Sequence, residues 1–196
     1  VIECTSEAAC VERLHRAHAA TKGRLILGGG IFTGVSNLLA REVARRAGDV
    51  KRLTLGVSSS PFSGAGKGTI ELMLRAMETP AVRYADGARV EEPTIREGPR
   101  LDFGSVVRRT GFMSLAEPFM VHTSTGAKTV DVLFAARPGF LVSSFALIPA
   151  WLARARWFQA LLRGYFTVLR RVLLASTASR VELMADADGA RGVVVA

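Results

Sequence analysis

Short apolar runs alternate with amphipathic stretches through the first third of the chain. Val1-Ile2-Glu3-Cys4 is apolar and extended, Thr5 or Ser6 can cap a helix that carries Val11 and Leu14 on one face, and residues 24–27 form the next strand. A helix from about residue 35 to 47, with Leu38, Leu39 and Val43, stops at Gly48, and residues 52–57 make a third strand. A βαβαβ order predicts parallel strands joined by right-handed crossovers. Residues 24–27 and 52–57 are therefore expected in one sheet, with residues 28–34 at its carboxyl edge, where open α/β sheets bind ligands.

From Ser58 the pattern changes. Residues 58–68 read as a Ser/Gly/Pro loop, and residues 69–78 as a helix ended by Pro80. Ala81-Val82-Arg83-Tyr84-Ala85-Asp86-Gly87-Ala88-Arg89-Val90 alternates about an Asp-Gly pair, a two-residue hairpin signal. Strands are expected at 100–103 and 129–136, and a second hairpin about Asp188-Gly189, between Val181-Glu182-Leu183 and residues 193–195. The fold class is α/β: a parallel part over residues 1–58, then a mixed, mostly antiparallel α+β domain over residues 59–196.

The most apolar stretch is 140–175. Pro149, Arg154, Arg156 and Arg163 interrupt every window of the ~20 residues a membrane span needs. Residues 157–174 are amphipathic instead: Phe158, Leu161, Leu162, Tyr165, Leu169 and Val172 share a face at helical spacing, opposite Arg156, Arg163 and Arg170. This stripe is expected to cover the protein's own core, with the arginines outward; the alternative is contact with an anionic membrane surface or a partner.

The chain of 196 residues is 49% hydrophobic and 22% charged, as in an ordinary folded domain, and allows one or two domains. Its net charge of +9 would usually suggest nucleic acid, but the basic residues, most of them arginine, form no block and no interleaving with aromatics, so no nucleic-acid partner is expected. Cys4 and Cys10 have neither metal-knuckle spacing nor the number for a disulfide framework, which points to reduced thiols and a cytoplasmic location. With Val1 in place of an initiator methionine, and Val193-Val194-Val195-Ala196 stopping inside a β-like run, the chain reads as a piece of a longer protein.

The most informative segment is Arg24-Leu25-Ile26-Leu27-Gly28-Gly29-Gly30-Ile31-Phe32-Thr33-Gly34-Val35-Ser36-Asn37-Leu38-Leu39-Ala40. A strand that runs through glycines into a helix start exposes backbone N–H groups beside a positive dipole end, which suits a phosphate, carboxylate or nicotinamide amide. Gly28, Gly30 and Gly34 approach a dinucleotide fingerprint, yet Ser58-Ser59-Ser60 stand where a ribose-binding acid belongs. A later βα turn of the same kind of sheet, or a purely structural turn, fits as well. Gly64-Ala65-Gly66-Lys67-Gly68-Thr69 resembles an adenylate kinase phosphate loop, but Pro61 stands where its first glycine should be, which disfavours ATP and leaves a helix start friendly to an anionic substrate or cofactor group. Glu12, His15 and His18 share a helix without a third metal ligand of matching context, and no metal is expected. His122, in Glu117-Pro118-Phe119-Met120-Val121-His122-Thr123-Ser124-Thr125-Gly126, is expected in a polar loop, either as a general acid within reach of substrate or as a hydrogen-bonded structural residue.

Taken together, these segments resemble the saccharopine dehydrogenase-like oxidoreductases. The carriers are Val1-Ile2-Glu3-Cys4, the Gly28 to Ala40 turn, Ser63-Gly64-Ala65-Gly66-Lys67-Gly68-Thr69, Tyr84-Ala85-Asp86-Gly87 and Glu117-Pro118, so the similarity spans nearly the whole chain. The resemblance implies the end of a Rossmann-like nucleotide-binding domain, then a substrate and dimerisation domain, in an NAD(P)-dependent enzyme whose glycine fingerprint precedes residue 1. It also implies that Gly29, Gly30, Phe32, Gly34 and Asn37 line the cofactor, NADP or NAD, while Gly66, Gly68, Thr69 and His122 face a small-molecule substrate. A homodimer is expected, and little activity or nucleotide affinity from this portion alone.

Overall fold

The computed structural model describes residues 2–59, 67–94, 96–137, 139, 144, 147–153, 155–172 and 180–195, with residues 67–69, 150, 169, 170 and 172 described by their backbone alone. In chain order the first elements are strand β1 (Ile2–Glu3), helix α1 (Ala8–His18), strand β2 (Ile26–Leu27), a π-helical turn (Ile31–Val35) that runs directly into α2 (Ser36–Ala47), and β3 (Arg52–Ser59). Next come α3 (Lys67–Glu78), β4 (Ala81–Ala85), β5 (Ala88–Glu92), β6 (Leu101–Asp102), β7 (Val107–Arg108), β8 (Gly111–Phe112), α4 (Glu117–Thr125) and β9 (Thr129–Ala136). A short helix α5 (Ala150–Ala153), the long α6 (Arg156–Val172), and β10 (Glu182–Ala187) with β11 (Ala190–Val195) complete the described elements.

Two of the strands expected to lie side by side do not. β2 pairs in parallel with β1 in a two-stranded sheet, whereas β3 lies in a seven-stranded sheet of order β11-β10-β3-β9-β4-β5, with β8 also on β9. The expectation of residues 24–27 and 52–57 in one sheet is thus corrected. The physical reason is that β3 finds longer partners: all eight of its residues pair with β9 in parallel, and six pair with β10 in antiparallel register, while β1 and β2 are two residues each. The large sheet is mixed, with β3–β9 its parallel pair and antiparallel pairing elsewhere.

Both hairpins form where the Asp-Gly pairs predict them. Asp86 and Gly87 (φ 51° and 84°) turn β4 into β5, and Asp188 and Gly189 (φ 48° and 95°) turn β10 into β11, the backbone a two-residue turn of this type requires. The Asp188 carboxylate also accepts the Lys51 backbone N–H at 2.6 Å, tying this turn to the start of β3.

Helices cover one face of the sheet. There Ala40, Val43 and Ala44 of α2, with Leu115 and Val121 around α4, pack on Leu53, Leu55 and Val57 of β3, Val130 and Val132 of β9, and Leu183 and Ala185 of β10. Further along the same face, past Phe134, Ile70 and Leu74 of α3 meet Ala136 of β9 and Phe166 of α6. On the opposite face Leu101 and Phe103 pack on Ala135 and Met184, and Gly56 permits this approach, since a Cβ on it would lie 2.7 Å from the Met184 side chain and 2.9 Å from that of Leu101.

Helix α6 begins and runs as its periodicity predicts, but turns a different edge inward. Phe166 is fully buried and Leu162 partly so, whereas Leu161 and Tyr165 are exposed. The apolar arc is wider than the surface of α3 that receives it, and ion pairing chooses which half goes in: the Arg163 Nε donates to Glu71 of α3 at 2.5 Å, and Gln159 reaches Glu78. Of the other expected face residues, Phe158 is half-buried, and Arg156 and Arg163 are exposed as expected; the side chains of Leu169, Arg170 and Val172, and residues 173 and 174 entirely, lie outside the described residues. Replacing Phe166 by Ala should accordingly cost ~3–5 kcal/mol in urea unfolding. Leu161→Ala, which a core position would make comparably costly, should stay within about 0.5 kcal/mol of the parent.

Candidate functional site

The glycine turn is built on the β1–β2 pair. The Gly29 N–H donates to the Glu3 carbonyl at 2.9 Å, extending the parallel ladder, and the Glu3 carboxylate accepts the N–H groups of Cys4 at 3.0 Å and Thr5 at 2.9 Å. Beyond Gly29 the chain winds into the π-helical turn, with the Gly34 and Val35 N–H groups both donating to the Gly30 carbonyl at 2.7 and 3.3 Å. The segment therefore sits at the carboxyl ends of two parallel strands and at the start of a helix, but on the small β1–β2 sheet and not on the one that holds residues 52–57.

Its glycines have different reasons to be there. Gly28 has φ +74°, and a Cβ on it would meet the Met120 side chain and the Thr33 carbonyl, each at 2.8 Å. At Gly29 a Cβ would touch the Cys4 Sγ at 2.9 Å, and at Gly34 it would overlap the Gly28 carbonyl oxygen. Gly30 is the exception: its Cβ direction is open, the nearest atom being the Cys4 carbonyl oxygen at 3.8 Å. Packing requires three of the four glycines and leaves room for a side chain at the fourth.

Helix α4 forms the other wall. It runs alongside the π-helical turn and α2 in the same direction, with Met120 against Gly28 and Thr33 and the Ser124 hydroxyl donating to Asn37 Oδ1 at 2.9 Å. Its first turn is anchored by the Ala116 N–H donating to the Ser6 carbonyl at 3.1 Å, just beyond β1. Around this junction lie three buried polar side chains whose oxygens have no hydrogen-bond partner among the described residues: Thr33, Ser36 and Glu117. Desolvation pushes the Glu117 carboxyl up to about 7, only its own backbone N–H opposing the shift. At neutral pH it is balanced between a neutral acid that can donate and a carboxylate.

The expected site residues distribute as follows. Gly29 and Gly30 are on the accessible side of the turn, Phe32 packs against the main core, Gly34 is pinned to Gly28, and Asn37 bonds to Ser124. Gly66 lies outside the described residues; Gly68 and Thr69 fall in the first turn of α3. His122 is in α4, not in a loop: Pro118 starts the helix, Gly126 ends it with φ +73°, and Thr123 and Thr125 return their hydroxyls to the Phe119 and Val121 carbonyls. That return of hydroxyls lets a polar segment remain helical. The His122 ring stacks on Tyr84 with centroids 3.9 Å apart, and its Nδ1 lies 2.9 Å from the Ala127 carbonyl, which fits the hydrogen-bonded structural alternative. His15 packs edge-on against Phe119, His18 Nδ1 is 3.2 Å from Thr21 Oγ1, and Cys4 and Cys10 are free thiols. The described residues contain no cluster of three metal-ligating side chains.

Sequence reasoning missed Thr33, Ser36 and Glu117 as site residues, although an acid between Leu115-Ala116 and Phe119-Met120-Val121 is a visible signal of a buried carboxyl. It also missed the arginines at the carboxyl edge of β3 and β9. There Arg108 Nε donates to the buried Glu182 carboxylate at 2.9 Å, with Arg180 at 3.8 Å; burial alone would raise that carboxyl, and Arg108 outweighs it, holding Glu182 below the usual carboxylate range. A cavity of about 500 Å³ lined by Arg108, Arg109, Ala136 and Leu147 opens beside them. No family model matches the sequence, and no characterised protein matches it at a significant level.

The raised Glu117 pKa has a definite stability signature. Between pH 4.5 and about 7 the folded state holds a proton that the unfolded state has released, so stability declines as pH rises through this window, and the contribution of this proton is gone above it. Glu117→Gln, which resembles the neutral acid, should match the parent below pH 4.5 and exceed it by about 3 kcal/mol at pH 8. Thermal melts of both proteins across that range check this.

Proposed function

We propose that this chain is a portion of an NAD(P)-dependent oxidoreductase resembling the saccharopine dehydrogenase-like enzymes. On this reading the Rossmann-like part ends in β1, β2 and α2, and the glycine turn receives the nicotinamide end of the cofactor. The observation that carries it is the junction itself. Gly30, with open space in its Cβ direction, stands at the carboxyl edge of a parallel pair and just before a twelve-residue helix, close to buried polar groups without a partner among the described residues.

A nicotinamide carboxamide has a donor and an acceptor to offer to such groups. Thr33, Ser36 and a protonated Glu117 are of the type that would hold it, orienting the ring and excluding water, while the cofactor, when bound, supplies the hydride. The substrate side belongs to the carboxyl edge of β3 and β9, where the cavity beside Arg108 and Arg109 suits a small anionic molecule. A homodimer and a cytoplasmic setting complete the proposal.

Isotope-labelled protein titrated with reduced nicotinamide mononucleotide, followed by amide resonances, tests this reading. Shifts should gather on Gly29, Gly30, Thr33 and Ser36 with a dissociation constant at or below ~1 mM. Gly30→Val, which fills only open space, should abolish them while leaving the melting temperature unchanged. Shifts scattered elsewhere, or none at all, would overturn the assignment.

A further inference from the structure

No helix among the described residues is long and apolar enough to cross a membrane. Helix α6 nevertheless carries more apolar surface than the fold uses. Phe166 and Leu162 pack toward α3, while Trp157, Leu161, Tyr165 and Val168, spaced 4, 4 and 3 residues apart, form a second stripe on the outer side. These four are 51–62% exposed, and Trp151 of α5 and Leu147 just before it add exposed apolar surface at the same end. Singly exposed apolar residues need no explanation, whereas a contiguous stripe of large ones marks a contact surface.

The charges around the stripe indicate its partner. Residues 156–172, Arg-Trp-Phe-Gln-Ala-Leu-Leu-Arg-Gly-Tyr-Phe-Thr-Val-Leu-Arg-Arg-Val, contain no acid. At 100° per residue Arg171 lies about 40° from Trp157, at the edge of the exposed stripe away from Phe166, and Arg156 follows about 60° further round at the first turn of the helix. Two acids of α3 reach α6, Glu71 taken up by Arg163 and Glu78 bonded by Gln159, both on the side facing α3, and the whole chain carries +9. A second copy of the chain would set one arginine-edged stripe against another, so like charges would oppose each other. An anionic lipid surface has no such conflict: the apolar stripe enters the acyl boundary, the arginines stay at the phosphates, and Trp157 and Tyr165 have rings suited to the headgroup level.

We propose that α6 is a membrane-surface helix that holds the folded protein on an anionic phospholipid bilayer through Trp157, Leu161, Tyr165 and Val168, with Arg156 and Arg171 at the headgroups. The contact is peripheral and reversible, and it stands independently of the oxidoreductase reading. Through it the protein would work next to lipid, so that an apolar or membrane-dissolved molecule could reach it without crossing water.

Co-sedimentation of the full chain with phosphatidylcholine vesicles, with and without phosphatidylserine, tests the proposal. The parent should pellet with the anionic vesicles, release as salt is raised, and show a blue shift of tryptophan emission. Leu161→Gln and Val168→Gln should each lower partitioning about tenfold or more, and Arg156→Gln with Arg171→Gln should abolish the preference for anionic lipid. Because these positions are exposed, unchanged melting temperatures will show that the variants are folded. The proposal is overturned if the parent stays in solution, if the Gln variants bind as well as the parent, or if ultracentrifugation finds a dimer that Leu161→Gln dissolves while vesicle binding persists.

Discussion

Strand β3 is the element that the rest of the structure depends on. All eight of its residues pair with β9 in parallel and six of them with β10 in antiparallel register, while helices lie over one of its faces and Leu101 and Phe103 over the other. A strand so placed leaves no backbone N–H or C=O to solvent and must satisfy all of them through partners far away in sequence. Residues 52–59 therefore hold residues 129–136 and 182–187 in fixed register, and the closing tie from Asp188 to Lys51 secures the same arrangement at the strand's beginning. The small β1–β2 pair hangs on this frame through α2, whose inner face belongs to the large sheet while its start belongs to the glycine turn.

That dual membership shapes the candidate site. Because α2 is clamped to the sheet by Ala40, Val43 and Ala44, the preceding turn cannot relax away from α4, and the glycines at 28 and 34 are what allow the two segments to meet. The close approach buries the side-chain oxygens of Thr33, Ser36 and Glu117 without a hydrogen-bond partner among the described residues. A buried acid without a partner among the described residues lowers stability at neutral pH, so its presence calls for a physical explanation. Glu117 stands in that position at the first turn of α4, where the helix dipole partly offsets the burial of its charged form.

How much of this could be read in the chain differs from place to place. The two Asp-Gly hairpins, the extent of residues 129–136 as a strand and the helix stop at Gly48 were all legible, because each rests on local backbone chemistry. The sheet membership of β3 was not. Alternating strand and helix predicts parallel neighbours, but the choice between a two-residue partner and two long ones is made by residues more than seventy positions away. His122 was misplaced for a local reason, since a run of Thr and Ser reads as a loop unless the hydroxyls bond back to the preceding turn, as they do here. At the glycine turn the backbone role was legible, but the buried oxygens of Thr33 and Ser36 depend on the wall that α4 supplies.

Helix α6 shows the same limit from the other side. Its periodicity correctly marks an amphipathic helix, yet an apolar arc spanning half of the helix circumference does not say which part of it the core will take. The side chains of α3 decide: Ile70 and Leu74 offer a narrow apolar seat, and Glu71 captures Arg163, which rotates the helix until Phe166 points inward and Leu161 outward. The remaining apolar surface is too large and too continuous to be an accident of packing, since hydrating Trp157, Leu161 and Val168 forgoes several kcal/mol of burial that a slightly different rotation would partly recover. One helix thus carries an inner apolar edge that completes the sheet's cover and an outer one left exposed, the two continuous through Phe158, with the arginines gathered on the opposite side.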